Sequence, residues 1–169
     1  MAIVIRLIAA IDSKRGLANE HGIPWQGKIP VDVRYFRDQT RGSNILMGRT
    51  TYTEFVKPLP DRKSFVLTHN LATLNSGFEV VHNLDEFIEL YKNEGNNDLW
   101  VIGGANLFAQ TIVQADELYL TQLNKDFHCT KFFPAFEQYF ELFHKSAAQQ
   151  ENSITYHFEI WKNVKTTVI

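Results

Sequence analysis

The 169-residue chain has one cysteine, two methionines and five prolines, and its formal net charge is only −2. A lone Cys129 cannot close an internal disulfide or build a thiolate metal site, and it fits a reducing compartment. The near-neutral charge leaves no global basic field for nucleic acid or membrane surfaces. No run reaches the ~18 apolar residues of a membrane span. The N-terminal MAIVIRLIAAI is short, broken by Arg6 and without a basic leader, so it reads as a buried strand and not a signal peptide. Repeats, low-complexity tracts, H-E-x-x-H spacing and G-x-S-x-G are all absent, which leaves no expected metal and no nucleophile elbow.

What is present is an ordinary globular composition, 44% hydrophobic and 21% charged, enough for one domain with a sizeable core. Apolar β-branched runs at 3–11, 44–47, 64–68, 78–82, 99–102 and 117–123 read as strands. Helical patterns follow several of them, at about 30–40, 52–55, 84–93 and 105–113. Pro30 sits where a helix opens and Gly42 where it stops. Residues 139–147 and 155–162 read as an antiparallel pair around a polar QQENS turn. The sum is an α/β sheet, mostly parallel, with an antiparallel C-terminal edge.

Three places carry possible chemistry. In IPWQGKIPVDVRYFRDQT, Ile29, Val33 and Phe36 form an apolar stripe, with Asp32 on its edge. A carboxylate half-buried there needs a protein partner or a ligand with hydrogen-bond donors. Thr121, in a buried strand, needs a partner for its hydroxyl, either Asp32 or a backbone carbonyl. Two strand ends run into small-residue turns and then helices, NILM-GRTT and LWVI-GGAN. Such turns either pack helix on strand or seat a phosphate at a helix N-terminus. Thr68 and His69 end a third strand on the same rim. Trp25 reads as core filler or pocket wall, and Arg62 as a surface ion pair or a receiver of an acidic ligand.

In order and spacing, LIAAI, IPW before an acid-bearing helix, ILMGRTTY, LPDRK, VIGGANLF, LYLT and YHFEIW resemble the dihydrofolate reductase family across nearly the whole chain. The resemblance implies one domain at 1–163 with a tail at 164–169. It implies a largely parallel eight-stranded sheet with four main helices, in a cytoplasmic monomer. It implies NADPH-dependent reduction of 7,8-dihydrofolate to tetrahydrofolate, with antifolate inhibitors as further ligands. Asp32 would hold the pterin, supported by Thr121, with Trp25 beside the proton-carrying water. Ile8, Val33, Phe36, Phe55, Leu59 and Ile102 would line the substrate, and Arg62 with Lys57 would meet its glutamate. Ala10 and Ile102 would face nicotinamide, under a lid formed by Gly16, Leu17, Ala18, Asn19, Glu20, His21, Gly22 and Ile23. Gly48, Thr50, Thr51, Gly103, Gly104, Ala105, Asn106, Leu107, Phe108 and Gln110 would hold the pyrophosphate and nearby cofactor. Arg49, Thr68 and His69 would meet the 2′-phosphate. The chain departs from the family pattern in its longer Trp25–Asp32 spacing and in Asn106, where an Arg is common. Alternatives are a same-fold reductase of another pteridine or aminopyrimidine, and a non-catalytic pterin-binding module.

Overall fold

The computed structural model describes residues 3–69, 74–94 and 97–167; residues 70–73 of the expected polar loop, 95–96 of the expected helix break and 168–169 of the expected tail lie outside them. The strands are β1 (Ile5–Ile11), β2 (Gly16–Ala18), β3 (Asn44–Gly48), β4 (Lys63–Leu67), β5 (Phe78–Val81), β6 (Leu99–Val101), β7 (Glu117–Leu123), β8 (Lys131–Phe132), β9 (Phe140–Lys145), β10 (Gln149–Glu151) and β11 (Ile154–Asn163). The helices are α1 (Pro30–Thr40), α2 (Arg49–Tyr52), α3 (Leu84–Glu94), α4 (Ala105–Thr111) and a terminal turn α5 (Val164–Thr167).

The main sheet runs β10-β11-β7-β1-β6-β3-β4-β5, and β9 also pairs with β11. Nine strands therefore fill eight positions, because β9 and β10 share one edge. Pairing is parallel from β5 through β7, and only β11 and its partners run antiparallel. β1 is central, with β6 and β7 on its two sides, which explains its unbroken apolar sequence. The expected architecture of a parallel sheet with an antiparallel edge is the observed one.

Alternation along β1 divides the core. Ile5, Leu7 and Ile11 pack with α3 and α4 residues such as Tyr91, Leu107 and Phe108. Ile8 and Ala10 point to the other face, where Tyr35 and Phe36 of α1 cover the sheet. Pro30 opens α1, and Gly42 follows it at φ +76°, a conformation that favours glycine. Asn83 caps α3, its side-chain oxygen accepting from the Glu86 N–H at 3.0 Å.

Tertiary structure assigns two helix faces. In α3 the buried set is Leu84, Ile88 and Tyr91, while Leu90 is exposed. In α1 the stripe divides: Ile29, 3% exposed, packs with Leu123 and Tyr156 of the sheet and Phe36 with Ile8, while Val33 is 47% exposed, and all three border a cleft. Tyr35 adds a further sheet contact, stacked on Phe158 of β11 at 4.1 Å. An apolar stripe looks the same in sequence whether it meets core or cleft.

Three short strands also lay outside the sequence reading. β2 lies in what read as loop 12–22 and pairs antiparallel with β8. β10 occupies the start of QQENS, and the turn itself narrows to Asn152 and Ser153, both at positive φ, as a two-residue hairpin requires.

Candidate active site

A cleft of about 1000 Å³ opens at the C-terminal ends of β1, β3 and β6, where the strand order reverses. α1 forms one wall. Ile8, Ala10 and Thr121 form the floor; Phe55 and Leu59 close one end, and residues 17–23 the other.

Asp32 is a half-buried acid in this cleft. Thr121 donates its hydroxyl to Asp32 Oδ1 at 2.6 Å, so the two open partner questions of the sequence answer each other. Removal from water is the largest influence on Asp32 and raises its pKa; the Thr121 bond opposes this, and the nearby negative charge of Glu151 adds to it. Among the described residues no protein group donates to Oδ2. The acid thus presents one oxygen already held and one facing the cleft.

Trp25 is both filler and wall. It is buried, packs edge-on against Phe127 at 5.1 Å, and still borders the cleft. The longer segment after it folds as successive turns: Gln26 N–H donates to Ile23 O at 3.1 Å and Lys28 N–H to Trp25 O at 3.0 Å. Asn152 of the β10–β11 turn pins this segment by donating to Lys28 O at 2.7 Å.

The two Gly-led turns meet across the cleft. Gly48 N–H donates to Gly103 O at 2.8 Å, and Gly103 sits at φ +115° with the Phe108 ring where a Cβ would need 3.2 Å. Gly48 and Gly104 precede α2 and α4, and neither helix start is capped by a side chain. The free N–H groups there, with Thr50 and Thr51, border the cleft. Arg49 lies over the Tyr52 ring at 5.4 Å, and its Nη1 is buried without a protein acceptor among the described residues. A buried, unsatisfied guanidinium nitrogen beside uncapped N–H groups fits a phosphorylated ligand. Thr68 is buried, and its carbonyl is bonded to His82 Nδ1 at 3.0 Å; His69 borders the same rim.

Most expected site positions therefore line one cleft: Ile8, Ala10, Leu17–Glu20, Gly22, Ile23, Trp25, Asp32, Val33, Phe36, Gly48–Thr51, Phe55, Leu59, Thr68, His69, Ile102–Phe108, Gln110 and Thr121. Four lie off its walls. Gly16 packs under the lid, where a Cβ would come within 2.6 Å of Cys129 Cβ. His21 and Lys57 are exposed. Arg62 donates to Thr40 Oγ1 at 3.0 Å and Pro60 O at 2.9 Å, beyond the cleft mouth. Its pKa is lowered by desolvation first, then by neighbouring Arg41 and, further down, Arg37.

The cleft also recruits residues the sequence reading passed over. Arg37 stands one turn beyond Val33 on the same helix face, a signal available from spacing. Glu54 precedes Phe55, and desolvation raises its pKa. Lys131 arrives only through the β2–β8 pairing, which no local pattern announces.

Sheet, switch-point cleft, phosphate-competent turns and one half-buried acid define an α/β enzyme built for a nucleotide cofactor and a small polar heterocycle. The family model for dihydrofolate reductase matches residues 4–163, and the chain belongs to that family. The chain is 33% identical over 135 residues to the Bacillus subtilis dihydrofolate reductase, covering 80% of this chain and 78% of that one. It is 36% identical over 129 residues to a type 3 dihydrofolate reductase of Salmonella typhimurium, covering 74% and 77%. The solved dihydrofolate reductase of Enterococcus faecalis, complexed with NADP(H) and RAB-propyl, superposes with a TM-score of 0.82 at 25% identity, over 96% of this chain and 99% of that one. The family consists of NADPH-dependent oxidoreductases that reduce dihydrofolate to tetrahydrofolate, and membership assigns this activity to the chain. No described helix is long and apolar enough to cross a membrane.

Proposed function

We propose that this chain reduces 7,8-dihydrofolate at the cleft described, with Asp32 as the pterin anchor and Arg49, Thr50, Thr51 and the Gly103–Phe108 turn as the cofactor grip. The observation that carries this reading is Asp32: a desolvated carboxylate with one oxygen held by Thr121 and the other turned to the cleft. Such a group suits the two adjacent N–H donors of an aminopterin edge.

When bound, the cofactor supplies a hydride to pterin C6. The protein's part is alignment and charge. Ile8, Val33, Phe36 and Ile102 offer apolar surface to the flat rings, and Phe55 and Leu59 to the benzoyl group. Asp32, tuned upward by burial, stabilises the protonated form of the pterin from beneath, while a water beside Trp25 carries the proton to N5. Thr121 fixes the orientation of the carboxylate. Arg62, with Arg37 on the cleft side of it, receives the anionic end of the substrate at the mouth. Residues 17–23 cover the reacting rings, and their backing by β8 excludes water. Arg49 with the Thr68–His69 rim meets the cofactor's 2′-phosphate.

The cleft is complete within one chain, so the reaction needs no second copy. The outer strand β9 carries an extra residue, Phe143, between the pairs Ile160–His144 and Trp161–Leu142, and a bulge on an edge strand disfavours sheet extension. We therefore place the enzyme as a cytoplasmic monomer, a setting to which its single cysteine and bacterial relatives are suited.

The test follows NADPH absorbance with purified protein and dihydrofolate. Wild type oxidises NADPH in the presence of dihydrofolate. Asp32→Asn loses most turnover at neutral pH and keeps NADPH affinity. Wild-type turnover by that variant would overturn the role of Asp32; antifolate binding without turnover by the wild type would favour a binding module.

A further inference from the structure

The cofactor grip as built lacks charge where a diphosphate needs it. α4 (ANLFAQT) carries no basic residue, and in α2 the only one, Arg49, lies over the Tyr52 ring and is assigned above to the cofactor's 2′-phosphate. Three cations border the cleft: Arg37, Arg49 and Lys131. Arg37 stands at the far end, beside Arg62.

Lys131 is placed from the opposite wall. It lies on β8 in register with Ala18 of the lid, and Thr130 N–H donates to Ala18 O at 2.9 Å. Two residues on, Phe133 is fully buried and packs on Phe108 of α4 at 5.0 Å. Lys131 itself is exposed and borders the cleft. Among the described residues Lys131 has no carboxylate partner.

The platform beneath it is stiff. Asp12 is 1% exposed, and its carboxylate divides between two loops: Oδ1 accepts from Lys14 N–H at 2.9 Å and Gly16 N–H at 2.6 Å, and Oδ2 from Phe127 N–H at 2.9 Å. The lid and the loop bearing Lys131 are thus fastened to one buried charge and keep one spacing.

We infer that Lys131 is a cofactor-binding residue, its ammonium meeting the cofactor diphosphate from the lid side of the cleft. The inference rests on the cofactor reading above. It makes the diphosphate a two-sided site, with backbone N–H groups from α2 and α4 on one wall and a cation from β8 on the other. Lid and cofactor then hold each other, because the cation travels with the strand paired to the lid.

The experiment measures equilibrium binding of NADPH and of NADH by fluorescence for four variants. Lys131→Gln is expected to weaken both cofactors by the same factor, about two- to five-fold, the size of one partly exposed charge contact. Lys131→Glu weakens both further, Lys131→Arg restores both, and the salt dependence of binding is shallower in Lys131→Gln. Unchanged affinity in Lys131→Gln would overturn the inference. So would weakening of NADPH alone, which would put the charge at the 2′-phosphate. Arg49→Gln is the control for the underlying reading: it should weaken NADPH and spare NADH. An effect at Arg49 with none at Lys131 removes only the Lys131 contact, whereas no effect at Arg49 removes the cofactor assignment with it.

Discussion

Replacing Asp32 by Asn should make the protein more stable at neutral pH while it removes most of the activity. The carboxylate is desolvated, and its one protein donor, Thr121, satisfies only Oδ1. A carboxylate oxygen turned to a cleft keeps part of its water, so its desolvation costs about 1–3 kcal/mol, less than for a fully buried charge without a partner. Asn keeps the Thr121 bond through its carbonyl oxygen and discards the charge. Its new amide N–H₂ also lacks a partner, which cancels part of the gain. A net stabilisation of about 1–2 kcal/mol remains. For a chain of this size that raises the melting temperature by about 2–8 °C.

The pH dependence gives the sign. Burial raises the pKa of Asp32 in the folded state above its ordinary value of 3.8, so the folded protein holds this proton more tightly than the unfolded chain. Stability from that proton is fully present below the ordinary value and is lost as pH rises through the folded-state value. The Asn variant has no such loss. Its advantage should be constant at high pH and shrink as pH falls through the folded-state value toward the ordinary carboxylate range. Thermal melts of ligand-free wild type and variant from pH 8 down to below the ordinary carboxylate value of 3.8 test this. A lower melting temperature for Asp32→Asn at pH 8, or an advantage that does not change with pH, would refute the claim that desolvation dominates at this carboxylate.

Thr121→Val should raise the pKa of Asp32 further, because the bond it removes favours the ionised form; the inflection of the pH–rate profile then moves to higher pH, and an unmoved or lowered inflection contradicts the role given to the 2.6 Å bond. Gly16→Ala should destabilise the lid base by about 1–3 kcal/mol, as overpacking does, since the new Cβ would stand 2.6 Å from Cys129 Cβ and 2.7 Å from both Asp12 carboxylate oxygens. Urea unfolding and NADPH binding both report it, and wild-type values in both would place the clash elsewhere.

The sequence by itself determined the elements whose signal is local. The apolar run of β1 read as a central strand, Pro30 and Gly42 bracketed α1, and the Gly-led turns after β3 and β6 marked one rim of the cleft. It also determined that Asp32 had a burial problem in need of an answer. What sequence left open were matters of who stands across from whom. Thr121 and Asp32 are 89 positions apart, and only the docking of α1 on β7 brings a hydroxyl to the acid. The stripe of Ile29, Val33 and Phe36 has helical spacing whichever surface it meets; tertiary structure set Ile29 and Phe36 between sheet and cleft, left Val33 to the cleft alone, and added Tyr35 to the sheet contact. β2, β8 and β10 are too short to show a period, because two or three residues gain their stability from the partner strand and not from their own pattern. That is why Lys131 was silent in sequence and why the lid's attachment to it emerged only from the fold. Local propensity is written along the chain, whereas a site is made of long-range contacts that close only when the sheet forms.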